Sequence, residues 1–136
     1  MNVVLDTNII LSGLISRNKA PRWILDAWLE DRFTLVSSEW QLSEIRRVSR
    51  YERLRKRLKP HLVGGVVRRI HTKGIVLTDL PTLDLSPDPD DNPLLATAVA
   101  GRADVLVTGD KVHVLALGKV ASTPIMSARD FLNRLR

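Results

Sequence analysis

The stretch Val3-Val4-Leu5-Asp6-Thr7-Asn8 begins with three apolar residues and passes directly into an acid and two polar residues. The pattern returns late in the chain, at Val105-Leu106-Val107-Thr108-Gly109-Asp110. Short continuous apolar runs are typical of parallel β-strands that are buried on both faces, and folds built from such strands place functional residues at the strands' carboxyl ends. We therefore predict that Asp6 and Asp110 lie together at one edge of a buried sheet.

Strand and helix patterns alternate along the rest of the chain. Apolar runs predict strands at residues 2–5, 33–36, 75–77, 105–107 and 124–126. Helical spacing of apolar residues predicts helices at residues 7–16, 22–31, 39–48, 51–58, 60–71, 93–100 and 128–135. This alternation predicts an α/β fold with a mainly parallel central sheet of about five strands. The proline- and aspartate-rich residues 78–93 are expected to form an extended loop within that fold.

Local signals predict how two of these helices begin. Ser38, with Gln41 three residues later, has the form of a capping box, in which two side chains satisfy free N–H groups of the first helical turn. Asn92 followed by Pro93 has the form of an N-cap and a first helical residue.

Composition narrows the class of protein. The length suits a single domain over residues 1–136, and 44% hydrophobic residues are enough for a core. No run approaches the ~18 apolar residues of a membrane span, and no basic segment precedes a signal-peptide core. Because the chain has no cysteine, it has no disulfide, thiol nucleophile or Cys-ligated zinc site. A cytoplasmic protein is expected.

The net charge of +6 is distributed unevenly. Between Arg46 and Lys73 lie eleven Lys and Arg and one acid, Glu52, whereas the remaining chain has ten Lys and Arg and fourteen Asp and Glu. A basic flank beside an acidic pocket suits a polyanion that is gripped through its backbone. The alternative is a solvated basic helix face.

Two further acids occupy positions comparable to Asp6 and Asp110. Asp91 precedes the apolar helix pattern of residues 94–100, and Glu44 lies at the border of an apolar helix face. Gathered carboxylates repel each other by roughly 4 kcal/mol per close pair at an effective dielectric of about 20. A hard divalent cation would neutralise them, and oxygen ligands suit Mg²⁺ or Mn²⁺. We therefore predict a metal site.

Four segments of this chain resemble PIN-domain nucleases, and most closely their toxin-like bacterial and archaeal branch of VapC type. The resemblance covers essentially the whole chain, and the segments follow the order of the family: Val3 to Asn8, Ser43-Glu44-Ile45, Asp88 to Ala98, and Leu106 to Lys111.

The resemblance implies a three-layer α/β/α fold and a metal-dependent endoribonuclease, the toxin of a type II toxin–antitoxin pair. It implies an RNA substrate, a cognate antitoxin protein and a homodimer. One or two Mg²⁺ or Mn²⁺ ions would be held by the four acids of the motifs, with Asp88 as a further candidate ligand: Asp6, Glu44, Asp91 and Asp110. The metal would activate water for attack on a phosphodiester.

Several residues have alternative interpretations. Asp6 could simply cap the helix after its strand, and Asn8 could either orient a carboxylate or water or serve as the cap itself. Thr108 could donate its hydroxyl to a ligand carboxylate, and Asp110 could be a turn residue. Glu39 is the alternative to Glu44.

The chain departs from the resemblance after Asp110. Many relatives carry another acid two residues later, where this chain has Val112 followed by His113. The number of metal ions is therefore open. His113 is either a substitute ligand or a surface residue, and the surface reading is the more common one for a single histidine in a loop.

Basic and aromatic residues complete the candidate list. Those expected to meet RNA are Arg46, Arg47, Arg50 and Lys111, and more distant candidates, including for acids of an antitoxin, are Arg53, Arg55, Lys56 and Arg57. The tryptophans, which occur in apolar helical patterns, are expected in the core or a dimer interface rather than as base-stacking platforms: Trp23, Trp28 and Trp40.

Two other classes of protein share a strand that ends in Asp. Phosphatases of the haloacid dehalogenase type need a second Asp at position 8, where this chain has Asn8, and receiver domains need paired acids that are missing here. A third alternative is a PIN-like domain that binds RNA or a protein partner without cleavage. The sequence leaves RNA and DNA open as substrates.

Overall fold

The computed structural model describes residues 1–136 and contains one six-stranded sheet. The strands are β1 (Asn2–Leu5), β2 (Thr34–Ser38), β3 (Ile75–Leu77), β4 (Val105–Val107), β5 (Lys119–Val120) and β6 (Thr123–Met126). Their order across the sheet is β3-β2-β1-β4-β6-β5, and every neighbouring pair is parallel except β5 and β6. The predicted α/β fold with a mainly parallel sheet is confirmed. The sheet has one strand more than expected, since β5 is only two residues long and leaves no pattern.

Seven α-helices flank the sheet: α1 (Thr7–Ile15), α2 (Ala20–Leu29), α3 (Glu39–Ser49), α4 (Glu52–Arg55), α5 (Pro60–Lys73), α6 (Asn92–Ala100) and α7 (Ala128–Leu135). Short 3₁₀ turns occur at Pro89–Asp91 and Leu115–Leu117. None of the helices is long and apolar enough to cross a lipid bilayer.

The core has two parts, one on each face of the sheet. Val3 and Leu5 of β1 point into the larger part, where α1, α2, α3, α5 and α7 pack. Val4 points to the opposite face, into a smaller cluster formed with α6 and the segment after β4. Successive side chains of a strand alternate between faces, so a run of apolar residues is buried on both sides. The chain therefore has the three-layer arrangement expected.

Two capping predictions need correction. Ser38 caps α3 by accepting a hydrogen bond from the Gln41 N–H at 3.1 Å, but the Gln41 side chain turns away to other partners and leaves the capping box half formed. Asn92 is the first residue of α6 and not its cap, because its side chain accepts hydrogen bonds from the loop N–H groups of Leu85 and Ser86.

Candidate metal centre

The carboxyl ends of the central strands open into a cleft of about 230 Å³. Asp6 directly follows β1, and Asp110 follows the end of β4 by three residues. Glu44 lies in the second turn of α3, and Asp91 directly precedes α6. All four acids line the cleft, so the fold brings together residues that are as much as 104 positions apart.

Asp6 is tied to the end of β4 through a single buried hydroxyl. Thr108, which is fully buried, donates its hydroxyl to Asp6 Oδ2 at 2.8 Å and accepts a hydrogen bond from the Asp110 N–H at 3.0 Å. The other oxygen of Asp6 accepts a hydrogen bond from the N–H of Asn8 at 3.3 Å. Asp6 is therefore the cap of α1 while it also faces the cleft. Asn8 is exposed, lines the cleft and is not the cap.

Glu44 is oriented by Thr7, which the sequence reasoning did not single out. The buried Thr7 hydroxyl donates to Glu44 Oε1, and the Arg47 guanidinium lies 3.8 Å from Glu44 Oε2. Both carboxylate oxygens of Glu44 thus have a partner, and the partner Arg47 lies at the exposed rim of the cleft. Glu39, the alternative to Glu44, is exposed in the first turn of α3 and does not line the cleft.

Gln41 holds the floor of the cleft together. Its fully buried side chain donates to the carbonyl oxygen of Leu5 at 2.6 Å and accepts from the Ser37 hydroxyl at 2.6 Å. One amide therefore joins the carboxyl ends of β1 and β2 to the start of α3. Sequence reasoning noticed Gln41 only as a capping residue.

The loop before α6 carries the fourth acid of the cleft. Ser86, a buried residue that sequence reasoning missed, donates its hydroxyl to Asp91 Oδ2 at 3.1 Å. Asn92 Oδ1 accepts hydrogen bonds from the N–H groups of Leu85 and Ser86 at 3.1 and 3.0 Å. No sequence pattern marks a serine in a loop rich in proline and aspartate as the partner of a particular acid. The contact is therefore visible only in the structure.

The remaining acids of that loop take different places. Asp88 caps the 3₁₀ turn by accepting from the Asp90 N–H at 3.0 Å, and Asp90 is exposed at the cleft wall. Donor atoms of Asp88, Asp91 and His113 all lie within 4.8 Å of one another. No trio among the four main acids is as close.

Burial and mutual repulsion raise the pKa values of three carboxyl groups. Loss of hydration is the main cause for Asp6, Glu44 and Asp91, and each also feels the charge of at least one other acid of the cleft. The pKa of Asp110 is lowered, chiefly because the His113 N–H donates a hydrogen bond to its carboxylate. A nearby positive charge would favour the ionised form of these three acids.

The fold and the acidic cleft agree with a match of this chain to a known protein family. A model of the PIN domain family matches residues 2–112. The chain belongs to the PIN-domain family. This match favours the PIN interpretation over the dehalogenase-type and receiver-domain alternatives.

Two known proteins resemble this PIN domain over most of its length. The uncharacterized protein MJ1680 of Methanocaldococcus jannaschii is 29% identical over 112 residues, which are 82% of this chain and 72% of that protein. A chain in the structure of FitAB bound to an IR36 DNA fragment has a TM-score of 0.56 and 18% identity, with 93% of this chain and 94% of that chain covered. At this identity the second comparison supports the fold.

The donor set of this PIN domain suits a hard divalent cation. The cleft offers carboxylate oxygens from four positions of the chain, and buried hydroxyls of Thr7, Thr108 and Ser86 each fix one of these carboxylates. Oxygen ligands oriented by neighbouring hydrogen bonds are typical of Mg²⁺ and Mn²⁺ sites. A bound cation would also compensate for the burial and, to a lesser degree, the mutual repulsion that raise the pKa values.

Helix α3 separates the arginines that were expected to meet RNA. Arg47 lies beside Glu44, and Arg53, which was ranked as more distant, lines the acidic cleft. Arg46 and Arg50 instead line a groove of about 630 Å³ with Arg55, Arg68 and His71, between α3, α4 and α5. Lys111, the last of the four residues expected to meet RNA, is exposed next to Asp110.

The three tryptophans also occupy different environments. Trp28 lies in the core, as expected, and Trp23 is 47% exposed on α2. Trp40 is half-buried, packs against the smaller core cluster as expected, and also lines the acidic cleft together with Tyr51. The cleft therefore has aromatic as well as acidic walls.

Without divalent metal, the stability advantage of a Glu44→Gln variant over the wild type should grow as the pH rises above 4.5. Folding raises the pKa of Glu44 above its ordinary 4.5, so its stabilising contribution is complete below that value and is lost as the pH rises through the folded-state pKa. Urea unfolding in EDTA at several pH values measures the advantage. An advantage that does not change with pH would contradict the assigned environment of Glu44.

Proposed function

We propose that this PIN domain is a metal-dependent endoribonuclease and the toxin of a type II toxin–antitoxin pair. The observation that carries the proposal is the cleft of four acids, in which buried hydroxyls orient carboxylates with raised pKa values. Such a site is costly for a fold in the absence of a ligand, and carboxyl groups whose pKa values are raised by burial and by neighbouring charges in a cleft are typical of active sites. Family membership supports phosphodiester hydrolysis.

Asp6, Glu44, Asp91 and Asp110 would hold the metal. When bound, Mg²⁺ or Mn²⁺ supplies an acidified water and stabilises negative charge on the phosphate. Thr108 fixes Asp6 relative to Asp110 through the two hydrogen bonds of its hydroxyl, which keeps the carboxylates in register.

The walls of the cleft would bind the nucleic acid. Arg47 and Arg53 lie at the rim, where a guanidinium can pair with a backbone phosphate. Trp40 and Tyr51 offer faces on which unpaired bases can stack. Lys111, which is exposed beside Asp110, can reach a phosphate on the other side. These features suit single-stranded RNA, whose bases are free to stack.

Arg46 and Arg50 remain candidates for RNA contact at a second place. Their groove contains four arginines and a histidine and no acid among its lining residues, so it attracts a polyanion. We infer that it receives a part of the RNA that extends past α3 from the cleft.

An antitoxin protein would neutralise the enzyme by covering the acidic cleft, with an inserted arginine as the natural counter-charge for its carboxylates. The structural likeness to a chain of the FitAB complex supports such a partnership.

A homodimer would bury the exposed side chains of Trp23 and Leu29 on α2, which are 47% and 51% accessible. Light scattering after size-exclusion chromatography measures the oligomeric state directly.

A second candidate function is RNA or partner binding without cleavage. Val112 favours it, because this residue is 74% exposed and contributes no acid to the cleft. Four intact acids around the cleft favour the nuclease.

The decisive experiment incubates the purified protein with pools of single-stranded RNA and DNA of the same sequences, in Mg²⁺, in Mn²⁺ and in EDTA. We expect metal-dependent cleavage of RNA that leaves 5′-phosphate ends. Cleavage of DNA alone would mean that the substrate is DNA and not RNA. Metal binding by the folded protein without cleavage of either pool would favour the second candidate.

Replacing Arg53 with Gln is expected to reduce the salt dependence of RNA binding. Each phosphate contact contributes about 0.7 to the slope of log affinity against log salt for single strands, so the slope should decrease by about that amount. Fluorescence anisotropy at several salt concentrations measures this slope, in an Asp6→Asn background that is expected to prevent cleavage of the RNA. Arg17→Gln in the loop after α1 is the matched control. Equal slopes for Arg53→Gln and the control would remove Arg53 from the RNA-binding surface.

A further inference from the structure

His113 offers the one nitrogen donor in a group of side chains that lie close enough together to hold a metal ion. Its imidazole lies with Asp88 and Asp91 in a trio whose donor atoms are all within 4.8 Å. Asp88 and Asp91 come from the loop and 3₁₀ turn before α6, and His113 comes from the loop after β4. Parts of the chain that are distant in sequence therefore converge on this point.

Asp110 fixes the loop that carries His113. Its Oδ1 accepts hydrogen bonds from the N–H groups of Val112 at 3.1 Å and His113 at 3.0 Å, and its Oδ2 lies 3.5 Å from His113 Nδ1. Val112 is 74% exposed and offers no ligand, whereas the His113 side chain is 40% exposed and lies among the acids. Asp110 therefore fixes the backbone of this loop, and the imidazole lies close to the same carboxylate.

The spacing of the trio suits a metal ion. Ligand atoms bound to one ion at about 2.1 Å lie about 3.0 Å apart when adjacent and about 4.2 Å apart when opposite. The upper limit of 4.8 Å in the trio is only slightly larger, so a small inward movement of the side chains would bring the donors into range.

We propose that His113 is a metal ligand in this PIN domain and that the site for this reason prefers transition-metal ions to Mg²⁺. Imidazole nitrogen is a poor ligand for Mg²⁺, while affinity for such a site rises along the series from Mn²⁺ through Fe²⁺ to Co²⁺. The inference rests on the proposed metal-dependent function and narrows the ion that it uses. A purely structural histidine, paired with Asp110, would not affect this preference.

The test compares the wild type with His113→Gln in the full chain, with Mg²⁺, Mn²⁺ and Co²⁺ as probes in isothermal titration calorimetry. We expect affinity in the order Co²⁺ above Mn²⁺ above Mg²⁺ for the wild type. In the variant the Co²⁺ and Mn²⁺ affinities should fall about tenfold or more, while the Mg²⁺ affinity changes by less than about threefold. His61→Gln, an exposed histidine in the first turn of α5, is the matched control.

Electron spin echo spectroscopy of the Mn²⁺-loaded protein gives a readout that does not depend on activity. A directly bound imidazole produces nitrogen modulation, which should be present in the wild type and His61→Gln and absent in His113→Gln. Nitrogen modulation that persists in His113→Gln, or an unchanged ratio of Mn²⁺ to Mg²⁺ affinity, would overturn the proposal.

The outcomes separate this proposal from the proposed function. RNA cleavage that requires Asp6, together with wild-type metal selectivity in His113→Gln, would defeat the role of His113 and leave the nuclease intact. Nitrogen ligation by His113 without cleavage of any nucleic acid would support the role of His113 and defeat the nuclease.

Discussion

Asp6→Asn is expected to lower the rate of RNA cleavage about a thousandfold or more, equivalent to roughly 4 kcal/mol of transition-state stabilisation. Asp6 is integrated into the site through both of its oxygens, since the Thr108 hydroxyl and the Asn8 N–H donate hydrogen bonds to them. Asparagine can keep an oxygen for these donors but removes the charge that a divalent cation needs. The loss should appear in the rate under saturating RNA.

The same substitution should stabilise the metal-free fold. The pKa of Asp6 is raised mainly by burial, with a contribution from Asp110, so the ionised side chain at neutral pH opposes folding. Removal of its charge is expected to increase the free energy of unfolding by about 1 kcal/mol, a typical trade between activity and stability. For a chain of this size, that is about 3–4 °C in the thermal midpoint in EDTA.

The control for Asp6→Asn is Asp90→Asn. Asp90 also lines the cleft but is exposed; its backbone N–H donates to Asp88, whereas its side chain makes no hydrogen bond or ion pair. Asp90→Asn should retain at least about half of the wild-type activity, and its thermal midpoint should equal that of the wild type. Full activity in Asp6→Asn, or an equal loss in both variants, would contradict the assignment of the site to Asp6.

The strand ends were predictable because burial on both faces leaves a strong pattern. Val105–Val107 is apolar at every position, and the change to Thr108 marks the end of β4. Where a strand is short and at the sheet edge, as in β5, two residues carry no such pattern. The same limit applies to the start of α6, where the Asn92 side chain bonds a loop that sequence cannot place.

The division of the arginines follows from helix geometry and could have been predicted. Residues three apart on a helix share a face, so Arg47 lies beside Glu44, whereas Arg46 and Arg50 are turned to the other side of α3. The position of Arg53 could not be inferred in this way, because it depends on the turn between α3 and α4.

The hydroxyl and amide groups that orient the acids were the part of the site least accessible to sequence reasoning. Thr7 and Glu44 are 37 residues apart, and Gln41 meets Leu5 across 36. Ser, Thr and Gln are common in loops and helix starts for local reasons, and these local roles explain the residues equally well. Only the register of β1 against β2 makes the long-range partner available.

Gln41→Met is expected to lower the free energy of unfolding by roughly 3 kcal/mol, or about 10 °C in the thermal midpoint. Methionine has nearly the same shape but cannot donate to the Leu5 carbonyl or accept from Ser37, so two buried polar groups lose their partner. Leaving such groups unpaired costs far more than the net value of a hydrogen bond. Thermal unfolding followed by circular dichroism measures the effect.

Activity should fall in the same variant, because Gln41 holds together the segments that carry two of the acids. Its amide joins the end of β1, which precedes Asp6, to the helix that carries Glu44. A loss of about 10- to 100-fold in cleavage at a temperature where the variant is folded would match the loss of a group that orients ligands. Ser43→Ala, an exposed neighbour on α3, should leave both properties unchanged. A thermal midpoint of Gln41→Met within about 2 °C of the wild type would mean that the amide contributes little to the fold, and the coupling between β1, β2 and α3 would then have to come from apolar packing alone.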